Sequence, residues 1–207
     1  TGFLESVRNL ATEKNIILIF DECTSGFRET FGGLHKKYVV EPDMAIFGKA
    51  LGNGYAITAA IGRREIMEAA QSTFISSTFW TERIGPTAAI KTLEIMEQEK
   101  SWEKIRIITK LLRNGWEELG CAHDLKLEVG GMNGIPSFNF CSENAAAYKT
   151  FVTQEMLKRG YLAASSVYVS YSHTEEIVEQ YLKHVDEVFN LLSDSIQDGN
   201  IIEKLET

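Results

Sequence analysis

Apolar and polar residues alternate along the chain in patterns that predict its elements. In residues 3–14, Phe3, Leu4, Val7, Leu10 and Ala11 fall three and four apart, the period of a helix with one apolar face. Ile16-Ile17-Leu18-Ile19-Phe20 follows without a polar break and stops at Asp21-Glu22. Unbroken hydrophobicity of this length predicts a strand buried on both faces, as in parallel sheets. Met44-Ala45-Ile46-Phe47 is a second such run, ending at Gly48-Lys49, and Ile57 to Ile61 is a third, ahead of a helix near Arg64. Helix, strand, strand, strand and helix predict an α/β sheet.

From Gly85 to about Gly120 the helical period persists through Ile90, Leu93, Met96, Ile105, Ile108, Leu111, Leu112 and Trp116. A break is expected at Glu99-Lys100-Ser101, with Ser101 as an N-cap. Beyond it come short strand candidates over 125–129 and 135–140 among Gly130-Gly131, Asn133-Gly134 and Pro136, then a helix over 144–159 closed by Gly160. Residues 161–172 read as strand. A final helix from Thr174 to about Leu192 has Thr174 as N-cap, acids in its first turn and a Glu-rich outer face. A domain boundary is expected within the long helices, near 100–120.

Composition narrows the functional classes. The 44% hydrophobic and 24% charged content of the 207 residues is that of a globular protein. No run approaches the roughly 20 apolar residues of a membrane span. With 21 basic against 29 acidic residues and no basic stripe, neither nucleic acid nor a membrane is an expected partner. Cys23, Cys121 and Cys141 are too few and too scattered for a disulfide framework, and suit a reducing cytosol; a cytoplasmic location is expected. His35, His123, His173 and His184 lack metal-ligand spacing, so no metal is expected. The chain opens Thr1-Gly2-Phe3-Leu4, without Met or a signal-peptide pattern, which points to a processed or shortened protein.

Chemistry is expected where apolar runs end in charge. In open parallel sheets ligands bind outside the carboxyl ends of the strands, and Asp21 and Lys49 both sit at such ends among glycines 26, 32, 33, 48, 52 and 54. A lysine in a partly dry cleft is a nucleophile toward aldehydes. A neighbouring aspartate can hold a cationic ring nitrogen, and the two together suit pyridoxal 5′-phosphate. Hydrophobics followed by Asp21-Glu22 also match a Walker B strand, but the P-loop spacing ahead of Gly48-Lys49 needs Gly where Asp43 stands, and Ser or Thr where Ala50 stands. Trp80, Trp102 and Trp116 read as packing residues and His173 as ordering the turn into the last helix. Arg28 reads equally as a substrate-carboxylate fork or a loop cation paired with Glu29 or Glu41.

Phe20-Asp21-Glu22-Cys23-Thr24-Ser25-Gly26-Phe27-Arg28, Glu41-Pro42-Asp43 and Phe47-Gly48-Lys49-Ala50-Leu51-Gly52-Asn53-Gly54-Tyr55 together resemble the class-III aminotransferases. The branch containing glutamate-1-semialdehyde aminomutase looks nearest. The resemblance continues through Ala60–Met67, Ser77-Thr78-Phe79 and Gly85-Pro86, and the interval of 28 residues from Asp21 to Lys49 fits the family. It implies a fold-type-I pyridoxal-phosphate transferase: residues 1–105 form the rear of the large, mostly parallel-sheet domain and 106–207 a small α+β domain. It implies Lys49 as the Schiff-base lysine and proton shuttle, Asp21 at the pyridinium nitrogen, and Cys23 where relatives place Val against the ring face. Thr78 would reach the cofactor phosphate across a homodimer interface, with Thr81 as fallback because Thr78 lies eight residues before Pro86.

Two departures shape the expected function. The family's N-terminal half, with its phosphate loop and stacking aromatic, has no counterpart here, so the chain alone is expected to be inactive. The acid that aminomutases carry ahead of the Ser-x-Ala-His-Thr stretch is missing from Tyr161–Val169, before Ser172-His173-Thr174. An intermolecular transaminase, acting on a small amino donor and an oxo acceptor, is therefore expected ahead of a mutase. The competing reading is a non-catalytic dimerisation fragment.

Overall fold

The computed structural model describes residues 2–76, 78 and 81–206; Ser77, Phe79 and Trp80, named above for motif and packing, lie outside the described residues. The chain divides into two compact units, Thr1–Trp102 and Glu103–Thr207.

In the first unit α1 (Phe3–Glu13) leads to β1 (Ile19–Asp21), α2 (His35–Tyr38), β2 (Met44–Phe47), β3 (Ala59–Gly62), α3 (Arg64–Met67) and α4 (Ile84–Glu99). β1 runs parallel to β2 with Asp21 opposite Ile46, whereas β3 runs antiparallel with Ala59 opposite Phe47. The sheet is thus mixed, in the order β1-β2-β3. The strand expected over 16–20 begins only at Ile19, and Ile16, Ile17 and Ile19 are 57%, 52% and 51% exposed rather than buried. Among the described residues β1 lies at the sheet edge and pairs with β2 alone, so its apolar run is not enclosed. The apolar face of α1 behaves alike, with Ala11 buried but Phe3 and Leu10 exposed.

The core of this unit gathers Ala45 and Phe47 of β2, Leu51 and Ala89, with Phe27, Ile57 and Leu93 against them. On α4 the inward residues are Ala89, Leu93 and Met96, while Ile90 is exposed, one position off the expected face. Asp43, buried ahead of β2, ties the unit's start to its sheet. It accepts from the Leu18 N–H and from Arg8, both at 2.8 Å, and faces Arg63 at 3.3 Å. The Leu18 and Arg8 hydrogen bonds hold its carboxyl below the usual aspartate range.

The second unit holds most of α5 (Ser101–Ala122), then β4 (Leu127–Met132), β5 (Ile135–Phe140), α6 (Ala145–Lys158) and α7 (Glu175–Gln197). α5 starts after Lys100, whose φ of 47° ends α4. Ser101 is not the expected N-cap: it is itself helical, and its buried hydroxyl has no hydrogen-bond partner among the described residues. β4 and β5 form an antiparallel hairpin closed by Asn133-Gly134. Pro136, Phe138 and Phe140 alternate inward along β5. Phe138 stacks edge-on to Trp116 at 5.0 Å and to Phe189 of α7 at 5.9 Å, joining helix, hairpin and helix in one core.

α6 ends as expected. Gly160 sits at φ 84°, where a side chain would be strained, and the N–H groups of Gly160 and Tyr161 return to the carbonyls of Leu157 and Met156. Residues 161–172 are not a strand. They run beside β5 with one isolated bridge, Ser166 to Ser137. Val167 donates to the Pro136 carbonyl at 3.1 Å, but Pro136 has no N–H to return, which interrupts any ladder. The Thr174 hydroxyl caps α7 by accepting from the Ile177 N–H at 3.3 Å.

Candidate active site

Parallel pairing of β1 and β2 sets the carboxyl ends of two strands side by side, so the residues that terminate the two apolar runs emerge at one edge. Asp21 is the last residue of β1, and Lys49 follows β2 by two residues, opening a 3₁₀ turn over Lys49–Leu51. Lys49 has φ 44°, the left-handed region that residues with a Cβ rarely occupy. The structure therefore brings Asp21 and Lys49 together across adjacent strands, close enough for the lysine's charge to act on the carboxylate.

Asp21 Oδ1 accepts from the Cys23 N–H at 2.9 Å. That bond, the Cys23 thiol and the Lys49 charge outweigh burial and hold the carboxyl below its ordinary value. The Cys23 thiol is pushed up, since it donates a hydrogen bond to Asp21, and burial and the negative charge disfavour a thiolate. Cys23 and Thr58 both flank Gly48: a Cβ there would lie 3.4 Å from Cys23 Sγ and from Thr58 Cγ2. Lys49 Nζ donates to the Thr24 hydroxyl. Thr24 and Thr58 escape a reading by sequence, because an ordinary loop threonine carries no signal of what it faces.

Asp21 and Lys49 are both exposed, so the partly dry cleft expected around the lysine is not enclosed by the first unit itself. Thr78 lies in an exposed turn ahead of α4, as does Thr81. Arg28 Nε donates to the Thr24 carbonyl at 2.7 Å, within its own loop. Glu29 pairs with Lys37 at 2.7 Å, and Glu41 approaches His35 at 3.9 Å. His173 orders the turn before α7, its Nδ1 accepting from the Ser170 N–H at 2.9 Å. Trp116 is fully buried and Trp102 stacks on Phe31 at 5.7 Å.

An anionic carboxylate and a primary amine at the mouth of a sheet can together bind a molecule with a cationic ring nitrogen and an aldehyde. The fold is that of the fold-type-I pyridoxal-phosphate transaminases. The pyridoxal-phosphate internal-aldimine form of the FumI protein of Sphingopyxis sp. MTA144 superposes with a TM-score of 0.87 at 26% identity, over 99% of this chain and 48% of that one. An omega-transaminase from Sphaerobacter thermophilus gives 0.83 at 21% identity, over 92% and 48%.

Residues 1–186 match the family Aminotransferase class-III, and the chain belongs to it. The 3-aminobutyryl-CoA aminotransferase of Cloacimonas acidaminovorans (strain Evry) is 35% identical over 181 residues, 84% of this chain and 44% of that protein. The chain thus spans a little under half the length of the relatives it matches. The cofactor of this family is pyridoxal 5′-phosphate.

Proposed function

We propose that the intact protein is an aminotransferase that exchanges an amino group between a small amino donor and an oxo acceptor in two half-reactions. The observation that carries this reading is the meeting of Asp21 and Lys49 at the paired carboxyl ends of β1 and β2. The residues present fit pyridoxal phosphate: Asp21 is held as an anion suited to the ring nitrogen, Lys49 offers its amine to the aldehyde, and half-buried Cys23 lies beside Gly48 as a wall. When bound, the cofactor supplies an electron-withdrawing ring that stabilises a carbanion at the substrate Cα. Lys49 Nζ would hold the cofactor's aldehyde carbon and, as general base and acid, would move the substrate Cα proton. Thr24 receives a proton of Nζ in a hydrogen bond and so orients the amine.

The motifs over Phe20–Arg28, Glu41–Asp43 and Phe47–Tyr55 draw the chain toward the aminomutase branch, but Tyr161–Val169 carries no acid where a mutase has one, which favours the intermolecular reaction. Residues 1–105 belong in this reading to the large domain and 106–207 to the small one. The exposed Ile16, Ile17 and Ile19 at the sheet edge suit a larger domain whose other strands and phosphate loop complete the site. The chain alone is accordingly inactive. Cys23, Cys121 and Cys141 are free thiols, in keeping with a cytoplasmic protein; among the described residues no helix is long and apolar enough to cross a membrane.

Lys49→Ala in the intact protein should abolish amino transfer, and normal turnover by that variant would sink the assignment. Borohydride reduction with pyridoxal phosphate followed by peptide mass mapping should place the adduct on Lys49. Thr78, offered to the neighbouring site, makes the protein a homodimer; light scattering that gives a strict monomer for the intact protein would overturn this.

A further inference from the structure

The chemistry above leaves Glu22 without a task, although this side chain is 4% exposed and both its oxygens are engaged. Oε1 accepts from the His35 backbone N–H and faces His35 Nδ1, each at 3.0 Å, while Oε2 accepts from the Ser25 hydroxyl. A carboxylate only accepts, so His35 Nδ1 is a donor in this contact. His35 is itself buried, packs on Phe20 with ring centroids 5.9 Å apart, and has Nε2 3.9 Å from Glu41. Burial alone would push the Glu22 carboxyl up, but the hydrogen bonds from Ser25, His35 and Leu34 outweigh it and leave the group below its ordinary value. The main chain is engaged as well: the Glu22 N–H donates to the Ile46 carbonyl, and its carbonyl accepts from Gly26, both at 2.8 Å.

A buried carboxylate with both oxygens hydrogen-bonded is costly to assemble, and its neighbours in sequence are the site. Asp21 precedes Glu22, and Thr24, the acceptor of Lys49, precedes Ser25. From Glu22 to Leu34 the chain has only turns and bends, without helix or strand to set its path. Glu22 reaches across this loop to His35 and back to Ser25, and its peptide joins the ends of β1 and β2.

We propose that Glu22 is a positioning residue: bonded to Ser25 and His35, its buried carboxylate fixes the Asp21–Thr24 turn so that the Asp21 carboxylate and the Thr24 hydroxyl face Lys49. This rests on the aminotransferase reading of the site.

The test compares wild type, Glu22→Ala, Glu22→Gln and Ser25→Ala in the intact enzyme, measuring kcat, KM for the amino donor, and backbone hydrogen exchange over residues 22–35 without cofactor. Glu22→Ala should lower kcat by about 10- to 100-fold, the scale of a small misplacement at a reacting centre. KM should stay within about twofold, because substrate binding is not what is lost. Exchange at the Gly26 and His35 N–H groups should quicken. Gln accepts from His35 and donates to Ser25, so it should restore most of kcat and of the protection, with Ser25→Ala falling between. Wild-type kcat in Glu22→Ala, unchanged exchange, or equal damage from Gln and Ala would overturn the proposal. Should Glu22→Ala fail to fold, wild-type kcat and exchange in Ser25→Ala would overturn it as well. An inactive wild-type enzyme would instead bring down the aminotransferase reading itself, and this role with it.

Discussion

At the scale of single residues, burial decides which polar groups matter. Trp116 has no exposure, and its Nε1 donates to the Tyr181 hydroxyl at 3.2 Å in the core of the second unit. Burial pushes the Tyr181 phenol up from its ordinary 10.0 to about 12. A raised folded-state value means that the neutral phenol stabilises the fold fully below about 10. That contribution is lost as pH rises through about 12, because the unfolded chain gives up its proton first. Melting temperature should therefore fall between those two values, and more steeply in wild type than in Tyr181→Phe. That variant leaves the indole N–H unpaired and should lose about 1–3 kcal/mol at neutral pH. Thermal melts across this range check both, and parallel curves would refute the assignment. Asp21 and Lys49 were legible because each is a charge closing an apolar run. Thr24 was not, since its partner lies 25 residues away, nor was the Glu22–His35 pair, 13 residues apart, because only the course of the loop brings these groups together.

Elements were legible where their signals are local. Thr174 followed by Glu175-Glu176 marks the start of α7, and its hydroxyl does accept from Ile177. Thr174→Ala should cost about 1 kcal/mol, read as a lower denaturant midpoint with an unchanged slope; no shift would show that the cap contributes nothing. The burial of Ile105, Ile108, Leu112 and Trp116 along α5 and of Val178, Tyr181, Val185 and Leu192 along α7 follows the helical period. Signals that depend on a neighbour misled. Ser101 has the chemistry of a cap, but Lys100 takes the left-handed turn and leaves Ser101 inside the helix. Tyr161–Ser172 has the composition of a strand, but Pro136 on the facing strand lacks the N–H that a ladder needs.

On the scale of the whole molecule the two units differ in what holds them. The second packs Trp116, Phe138, Phe140, Phe151 and Phe189 with aliphatic residues from α5, β4, α6 and α7. The first gathers Ala45, Phe47, Leu51 and Ala89 among its described residues, while Phe3, Leu10, Ile16, Ile17 and Ile19 face outward. Stability rises with the share of apolar surface removed from water, so residues 101–207 should fold alone with a cooperative thermal transition. Residues 1–100 alone should melt without one and bind a hydrophobic dye. Calorimetry of the two pieces decides, and a cooperative first piece beside a structureless second would reverse the argument.

The sequence by itself determined the helical periods, the bounds of β5, the Gly160 and Thr174 helix ends and the family motifs around Asp21 and Lys49. Each is written within a few neighbouring residues and needs no distant partner. Only the tertiary structure decided that β3 runs against β2, that β1 is a short exposed edge, and that Thr24 meets Lys49 while Glu22 turns inward to His35. Strand direction and loop path depend on which distant groups can be satisfied together, and no local pattern of apolar and polar positions carries that.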